Sequence, residues 1–204
     1  MTSPNSKRRR IYRFRNIFGK SIGNSEIYSK LVSPKLGGLF DGFSFTVCAY
    51  GISGSGKTHT IFGSHKQTNI FEEGLLLQTA YELFAIKEKK GTKNQIEVRV
   101  SMLEIYNEHV HDLLSGDSGV KKNLQLIENP ISNGVIVQDL TNITIKSCEE
   151  LKLAVARGLE GRVIAASSNN MHSSRSHVIT DLAILSTDKN DNESKMLSKV
   201  RFVD

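Results

Sequence analysis

The chain has 204 residues, 38% hydrophobic and 24% charged, which suits one packed domain and argues against global disorder. No stretch approaches the roughly 18 consecutive apolar residues of a membrane span, and the N-terminus lacks an apolar run and a small-residue cleavage site, so a soluble intracellular protein is expected. The net charge of +6 does not argue for nucleic acid, because seven of the 27 basic side chains fall in the first twenty residues, which hold no acid, and the rest of the chain is nearly neutral.

Residues 1–11 read as a basic, disordered arm before a single unit over 12–204, most simply a solvated leader, the alternatives being contact with an acidic partner or nuclear targeting. The three prolines stand far apart, and no repeat or low-complexity linker divides the chain. From Ser25 to Leu39, Ile27, Leu31, Val32 and Leu36 fit a helix interrupted near Pro34 and closed by Gly37-Gly38. Phe43 to Tyr50 is β-branched and aromatic almost throughout, predicting a strand buried on both faces, as in a parallel sheet. A glycine-rich loop follows at once, then a helix start at Lys57, a polar loop over 63–69 and a second helix over 74–89. Ile96, Val98, Val100 and Met102 alternate with Glu97, Arg99 and Ser101, which is strand periodicity, and Leu103 to Tyr106 extends it. Asn133-Gly134 between apolar runs predicts a hairpin. Ser147-Cys-Glu-Glu150 is a capping box opening a helix whose apolar face is Leu151, Ala154, Val155, Gly158 and Leu159, with Arg162 on the same face, ending near Ala165. Val178 to Leu185 and Val200 to Val203 are predicted strands on either side of a polar turn over 188–193. Helices alternating with strands predict an α/β fold with a mixed, largely parallel sheet. Cys48 and Cys148 have no Cys or His at zinc-ligand spacing and read as small core hydrophobes.

The glycine-rich loop is Gly51-Ile52-Ser53-Gly54-Ser55-Gly56-Lys57-Thr58, the pattern G-x-x-x-x-G-K-[ST] whose backbone amides cradle the oxygens of a di- or triphosphate. The glycines permit positive φ and close approach of the backbone. Lys57 would bridge the β and γ phosphates, and the Thr58 hydroxyl would bind Mg²⁺. A second polar cluster runs from Asn170 through Ser173, Ser174 and Arg175 to His177, where hydroxyls beside an arginine suit a γ-phosphate sensor as well as a solvated loop. Asp204 stands at the tip of the last predicted strand, where parallel-sheet proteins place ligands and phosphate-loop proteins place the acid that holds Mg²⁺ through water.

Taken together, Ala49-Tyr50-Gly51 with the phosphate loop and Thr58-His59-Thr60, Val100 to Glu108 with Val110 to Leu114, Gly134-Val135 with Val137 to Leu140, and Asn170 with Ser173 to His177 stand in an order that resembles the kinesin motor domain over residues 12–204. The resemblance implies a three-layer fold of the P-loop NTPase type, a central sheet flanked by helices, here an incomplete motor domain. It implies hydrolysis of ATP with Mg²⁺ coupled to movement along microtubules, in the cytoplasm on the cytoskeleton, with neither nucleic acid nor membrane as partner. By position it places His59 against adenine, Ser174 with Thr58 and Asp204 around Mg²⁺, and Ser173 and Arg175 around the lytic water.

The departures are specific. The family follows that aspartate with Leu-Ala-Gly and a glutamate that pairs with the switch arginine, here Arg175, whereas this sequence stops at Asp204. The relay helix, the stalk that sets oligomeric state and the first strand with its adenine-side Arg-x-Arg-Pro are not in it, Arg15 stands where relatives carry aspartate, and Ile52-Ser53 replace Gln-Thr. The sequence is therefore read as a piece of a longer motor, the isolated piece being expected to aggregate. The other readings are a non-motile kinesin-like remnant that binds nucleotide or a partner without cycling and, more remotely, a small-molecule kinase.

Overall fold

A computed structural model describes residues 11–64, 72–90, 95–116, 123–129, 134–167, 176–187 and 194–204. Except for Ile11, the expected arm lies outside these residues, as do the polar turn over 188–193 and most of the loop over 63–69. In chain order the elements are α1 (Asn24–Leu31), α2 (Ser33–Leu39), β1 (Phe45–Cys48), α3 (Lys57–Phe62), α4 (Leu75–Lys90), β2 (Gln95–Tyr106), β3 (His109–Asp112), β4 (Leu126–Asn129), β5 (Gly134–Val137), β6 (Ile143–Ile145), α5 (Cys148–Ser167), β7 (His177–Thr187) and β8 (Ser194–Val203).

The main sheet runs β1-β8-β7-β2-β3, with β6 on β2 beside β3, while β4 and β5 form the hairpin that Asn133-Gly134 announces. The sheet is mixed, but its predicted largely parallel character is corrected. Only β1 and β8 run parallel, and the other described pairings are antiparallel. The long β2, β7 and β8 are joined as antiparallel neighbours, so the parallel pairing is confined to the edge that carries the phosphate loop.

Alternation along β2 sends Val98, Val100 and Met102 to one face, where Val178, Leu182 and Ile184 of β7 and Val200 and Phe202 of β8 join them in one buried cluster. Leu36 and Leu39 of α2, Leu76 and Leu83 of α4 and Leu151 of α5 close over it. The helices thus share one face. On the opposite face Leu103, Val110 and Leu124 make a smaller cluster with Ile105, Val137 and Ile179. Among the described residues, two of the three expected layers are therefore present. Thr46 and Cys48 point to the uncovered face and are exposed, which corrects both the doubly buried strand predicted for 43–50 and the core role of Cys48; Cys148 is buried as expected.

The expected helix over 25–39 is two helices meeting at Val32, with Pro34 in the first turn of the second. Gly37 and Gly38 lie inside α2 instead of closing it, because Leu36 and Leu39 are both buried and hold that turn. Glu82 of α4 ties both pieces down, accepting from the Tyr28 hydroxyl (2.7 Å) and the Ser33 hydroxyl (2.9 Å). Burial, reinforced by the Glu82 carboxylate, pushes the Tyr28 phenol well up from its ordinary value.

The start of α5 follows its capping box in part. Ser147 Oγ accepts from the Glu150 N–H (3.2 Å), but the Glu150 carboxylate takes the N–H of Lys146, one residue earlier than the pattern predicts. The helix runs to Ser167, slightly past the expected end. Gly158 is what lets it approach the sheet, since a Cβ there would stand 2.5 Å from Met102 Sδ. One turn further on, that approach delivers Arg162 to the polar end of the sheet.

Candidate functional site

Because β1 and β8 are parallel, their C-terminal ends meet. The Ala49 N–H donates to the Val203 carbonyl (2.9 Å), and the loop after β1 rises directly beside Asp204. The loop turns through left-handed φ at Gly54 (75°) and Gly56 (91°), where side chains are disfavoured, and α3 begins at Lys57. At Gly51 a Cβ would approach Ser55 Oγ to 2.6 Å, so a side chain there would require the Ser55 hydroxyl to move. The loop walls a cleft of about 660 Å³, within the usual size of a small-molecule site. Gly51, Ser53, Gly54, Gly56, Lys57, Thr58 and Asp204 line it, joined by Tyr50, Arg162, Ser176 and His177.

Asp204 is the centre of the polar network. Its backbone exchanges two hydrogen bonds with Val178, both 2.9 Å, which fixes the carboxylate at the sheet edge although the side chain is only 2% exposed. Thr58 Oγ1, 146 residues away in sequence, donates to it at 2.8 Å from Oδ2 and 3.1 Å from Oδ1. From the other side Arg162 donates through one terminal nitrogen to Asp204 Oδ2 (3.2 Å) and through the other to Ser176 Oγ (3.0 Å), while its Nε lies 3.5 Å from Glu104 Oε1. Glu104 is fully buried. One guanidinium therefore links two buried carboxylates from β2 and β8 to the loop before β7. Lys57 lies back over the loop, its ammonium donating to the Gly51 and Ile52 carbonyls at 3.0 Å each. The hydroxyl and carboxylate oxygens of Thr58 and Asp204, held together beside a phosphate loop, are the hard donors that Mg²⁺ prefers, so the residues present fit that ion.

Of the residues expected at the site, Ile52 and Ser55 belong to the loop but not to the cleft wall, and Ile52 is 83% exposed. His59 is not in that wall either. Glu72 draws it aside, with Nε2 3.4 Å from the carboxylate, and the same carboxylate accepts the N–H of Asn24. Ser173, Ser174 and Arg175 lie outside the described residues; their neighbours Ser176 and His177 reach the cleft. Sequence reasoning missed Arg162 and Glu104 as site residues, although each breaks an apolar pattern.

The family model described as Kinesin motor domain matches residues 1–204. Among curated proteins, the chain is 35% identical over 191 residues to the mouse Kinesin-like protein KIF11, covering 90% of this chain and 18% of that protein. It is 33% identical to the rice Kinesin-like protein KIN-14M (88% and 15% covered) and 32% identical to the Xenopus laevis Chromosome-associated kinesin KIF4 (92% and 15%). The chain therefore spans less than a fifth of the length of these relatives. A solved structure described as that of a fast kinesin superposes with a TM-score of 0.82 at 28% identity, over 95% of this chain and 53% of that one.

Proposed function

Since the chain belongs to the kinesin motor-domain family, we propose that it forms the nucleotide-handling part of an ATP-driven microtubule motor, working in the cytoplasm on the cytoskeleton. The observation that carries this reading is the meeting of Thr58 and Asp204 at 2.8 Å beside the phosphate loop, two residues that have no reason to touch in a glycine-rich turn of purely structural use. Backbone amides of 51–58 would take the phosphate oxygens, and Lys57 would exchange the carbonyls of Gly51 and Ile52 for the β and γ phosphates. Thr58, Asp204 and, by resemblance, Ser174 would hold Mg²⁺, which when bound neutralises charge on the phosphates.

Arg162 holds the Asp204 carboxylate in place through a hydrogen bond at 3.2 Å, and Ser176 orients the guanidinium that does so. Ser173 and Arg175 are assigned to the attacking water by position in the family pattern. In this chemistry the protein aligns a water with the γ-phosphoryl group and stabilises spreading charge, so placement of these groups carries the rate.

Titration of the chain with a fluorescent ADP in Mg²⁺, followed by ATP turnover of the full-length protein with and without microtubules, tests the proposal. Binding that Lys57→Ala abolishes, and turnover that microtubules raise, are the expected results. Equal binding by wild type and Lys57→Ala would overturn the assignment of the loop, and tight binding with turnover indifferent to microtubules would overturn the motor reading.

A further inference from the structure

Glu104 is fully buried and takes no part in the wall of the nucleotide cleft, yet a carboxylate without access to water is costly to keep unless a partner answers it. Register shows what it is placed for. Glu104 stands opposite Val178, and Val178 exchanges its backbone hydrogen bonds with Asp204, so the two carboxylates lie in one row across three strands, about 9–10 Å apart at two strand spacings. Arg162 reaches over that row from α5. Its Nε stands 3.5 Å from Glu104 Oε1, and one terminal nitrogen stands 3.2 Å from Asp204 Oδ2. The Arg162 side chain is only 11% exposed, so solvent screens these charges weakly. On the cleft side Thr58 points its proton at Asp204, which leaves the lone pairs of its oxygen for a cation. Counted formally, two carboxylates and one guanidinium leave one negative charge on the network, and Asp204 presents it to the cleft. Arg162 by itself would cancel that charge.

We infer that Glu104 is a positioning residue for Mg²⁺ held beside Thr58 and Asp204. It acts through Arg162, drawing the guanidinium charge toward β2 so that Asp204 keeps its attraction for the ion. The inference rests on the nucleotide reading proposed above. Partners one step removed from a metal commonly set its affinity by roughly ten- to a hundredfold, and Glu104 stands at that remove from the Thr58 and Asp204 oxygens. Charge and shape can be separated here. Glutamine keeps the outline of glutamate and can still accept from Arg162 Nε, so Glu104→Gln removes the charge alone and brings the formal sum of the network to zero. Replacing Glu104 and Arg162 together by methionine restores the single negative charge, while the Val178 backbone and the Thr58 hydroxyl still hold Asp204 in place.

The test is a titration of the full-length protein with fluorescent ADP over a series of MgCl₂ concentrations and again in EDTA, which separates affinity for Mg²⁺ from affinity for the nucleotide. The expected results are an Mg²⁺ half-saturation raised at least about tenfold in Glu104→Gln with binding in EDTA unchanged, and a return to within about threefold of wild type in the double variant Glu104→Met with Arg162→Met. An unchanged Mg²⁺ half-saturation in Glu104→Gln, an equal loss in EDTA, or a double variant as weak for Mg²⁺ as Glu104→Gln would overturn the role of Glu104 and leave the phosphate loop as assigned. The double variant leaves neither Glu104 nor Arg162 buried without its partner, so it decides the matter even if Glu104→Gln fails to fold, a tenfold loss of Mg²⁺ affinity in it being enough to overturn the inference. Wild-type ADP binding that ignores Mg²⁺ would instead overturn the nucleotide reading and this inference with it.

Discussion

Replacing Arg162 by methionine tests whether the buried network is held by charge or only by shape. Arg162 Nε stands 3.5 Å from Glu104 Oε1, and at an effective dielectric constant of about 20 that separation is worth roughly 5 kcal/mol of attraction. Desolvation of both ions offsets much of that in the native protein, so the pair as a whole contributes little. Removing only the cation is different, because Glu104 stays fully buried without Arg162 and Asp204, 2% exposed, loses a donor at 3.2 Å. The expected cost is about 3–5 kcal/mol. Adding Glu104→Met should recover at least about 2 kcal/mol, since the double variant replaces the pair by apolar side chains of similar length; the remainder reflects Asp204, which neither change repairs. Urea unfolding of the four proteins of the cycle, followed by far-UV circular dichroism, reads both quantities. A single-variant cost below about 1 kcal/mol, or a double variant no better than Arg162→Met alone, would refute the reasoning.

Other consequences follow from individual contacts. Thr180 Oγ1 is fully buried with no hydrogen-bond partner among the described residues, so Thr180→Val should stabilise by about 1–2 kcal/mol and raise the melting temperature by a few degrees. At Gly74 a Cβ would meet the Ile61 carbonyl oxygen at 2.3 Å and the Gly63 nitrogen at 2.5 Å, both backbone atoms, so Gly74→Ala should cost about 2–3 kcal/mol in the same unfolding assay. Hydrogen bonds from Arg99 and Thr144 hold the Glu97 carboxyl below the ordinary carboxylate value. A depressed folded value means stability that is complete above the ordinary range of about 4.3 and lost as pH falls through the lower value, so wild type should lose more stability than Glu97→Gln between pH 6 and pH 3.

Some of the architecture could be read directly because a local pattern and its physical cause coincide. Strict alternation over 96–102 names the inward face of β2, and Asn-Gly between apolar runs names an antiparallel pair, since both are decided within a few residues. Strand direction is not a local property. Phe45 to Cys48 would read the same between parallel neighbours or antiparallel ones, and what makes β1 parallel to β8 is pairing with a segment about 150 residues away. Burial is equally non-local. The apolar run over 43–50 suggested two covered faces, yet Thr46 and Cys48 are exposed because no described element packs over them. At Gly37-Gly38 the local preference was legible and lost to tertiary packing, the burial of Leu36 and Leu39 outweighing about 1 kcal/mol of propensity per glycine.

The site divides along the same line. Its phosphate loop is contiguous, so spacing alone exposes it, and Asp204 could be placed from strand position and chemistry. Arg162 and Glu104 hid because each stands in a segment whose apolar pattern explains it as packing. Yet the alternation that buries Val98, Val100 and Met102 continues one step to Glu104, and the helical face of Leu151, Ala154, Val155 and Leu159 continues to Arg162. An ion that extends an apolar stripe is too costly to bury alone, so two such extensions of opposite charge on elements that pack together predict each other as partners. Glycine at 158 supplies the missing clue to where they meet, because it marks the turn of α5 that lies against Met102, two residues before Glu104. The network around Asp204 was therefore encoded as a pair of violations, which became readable only when taken together.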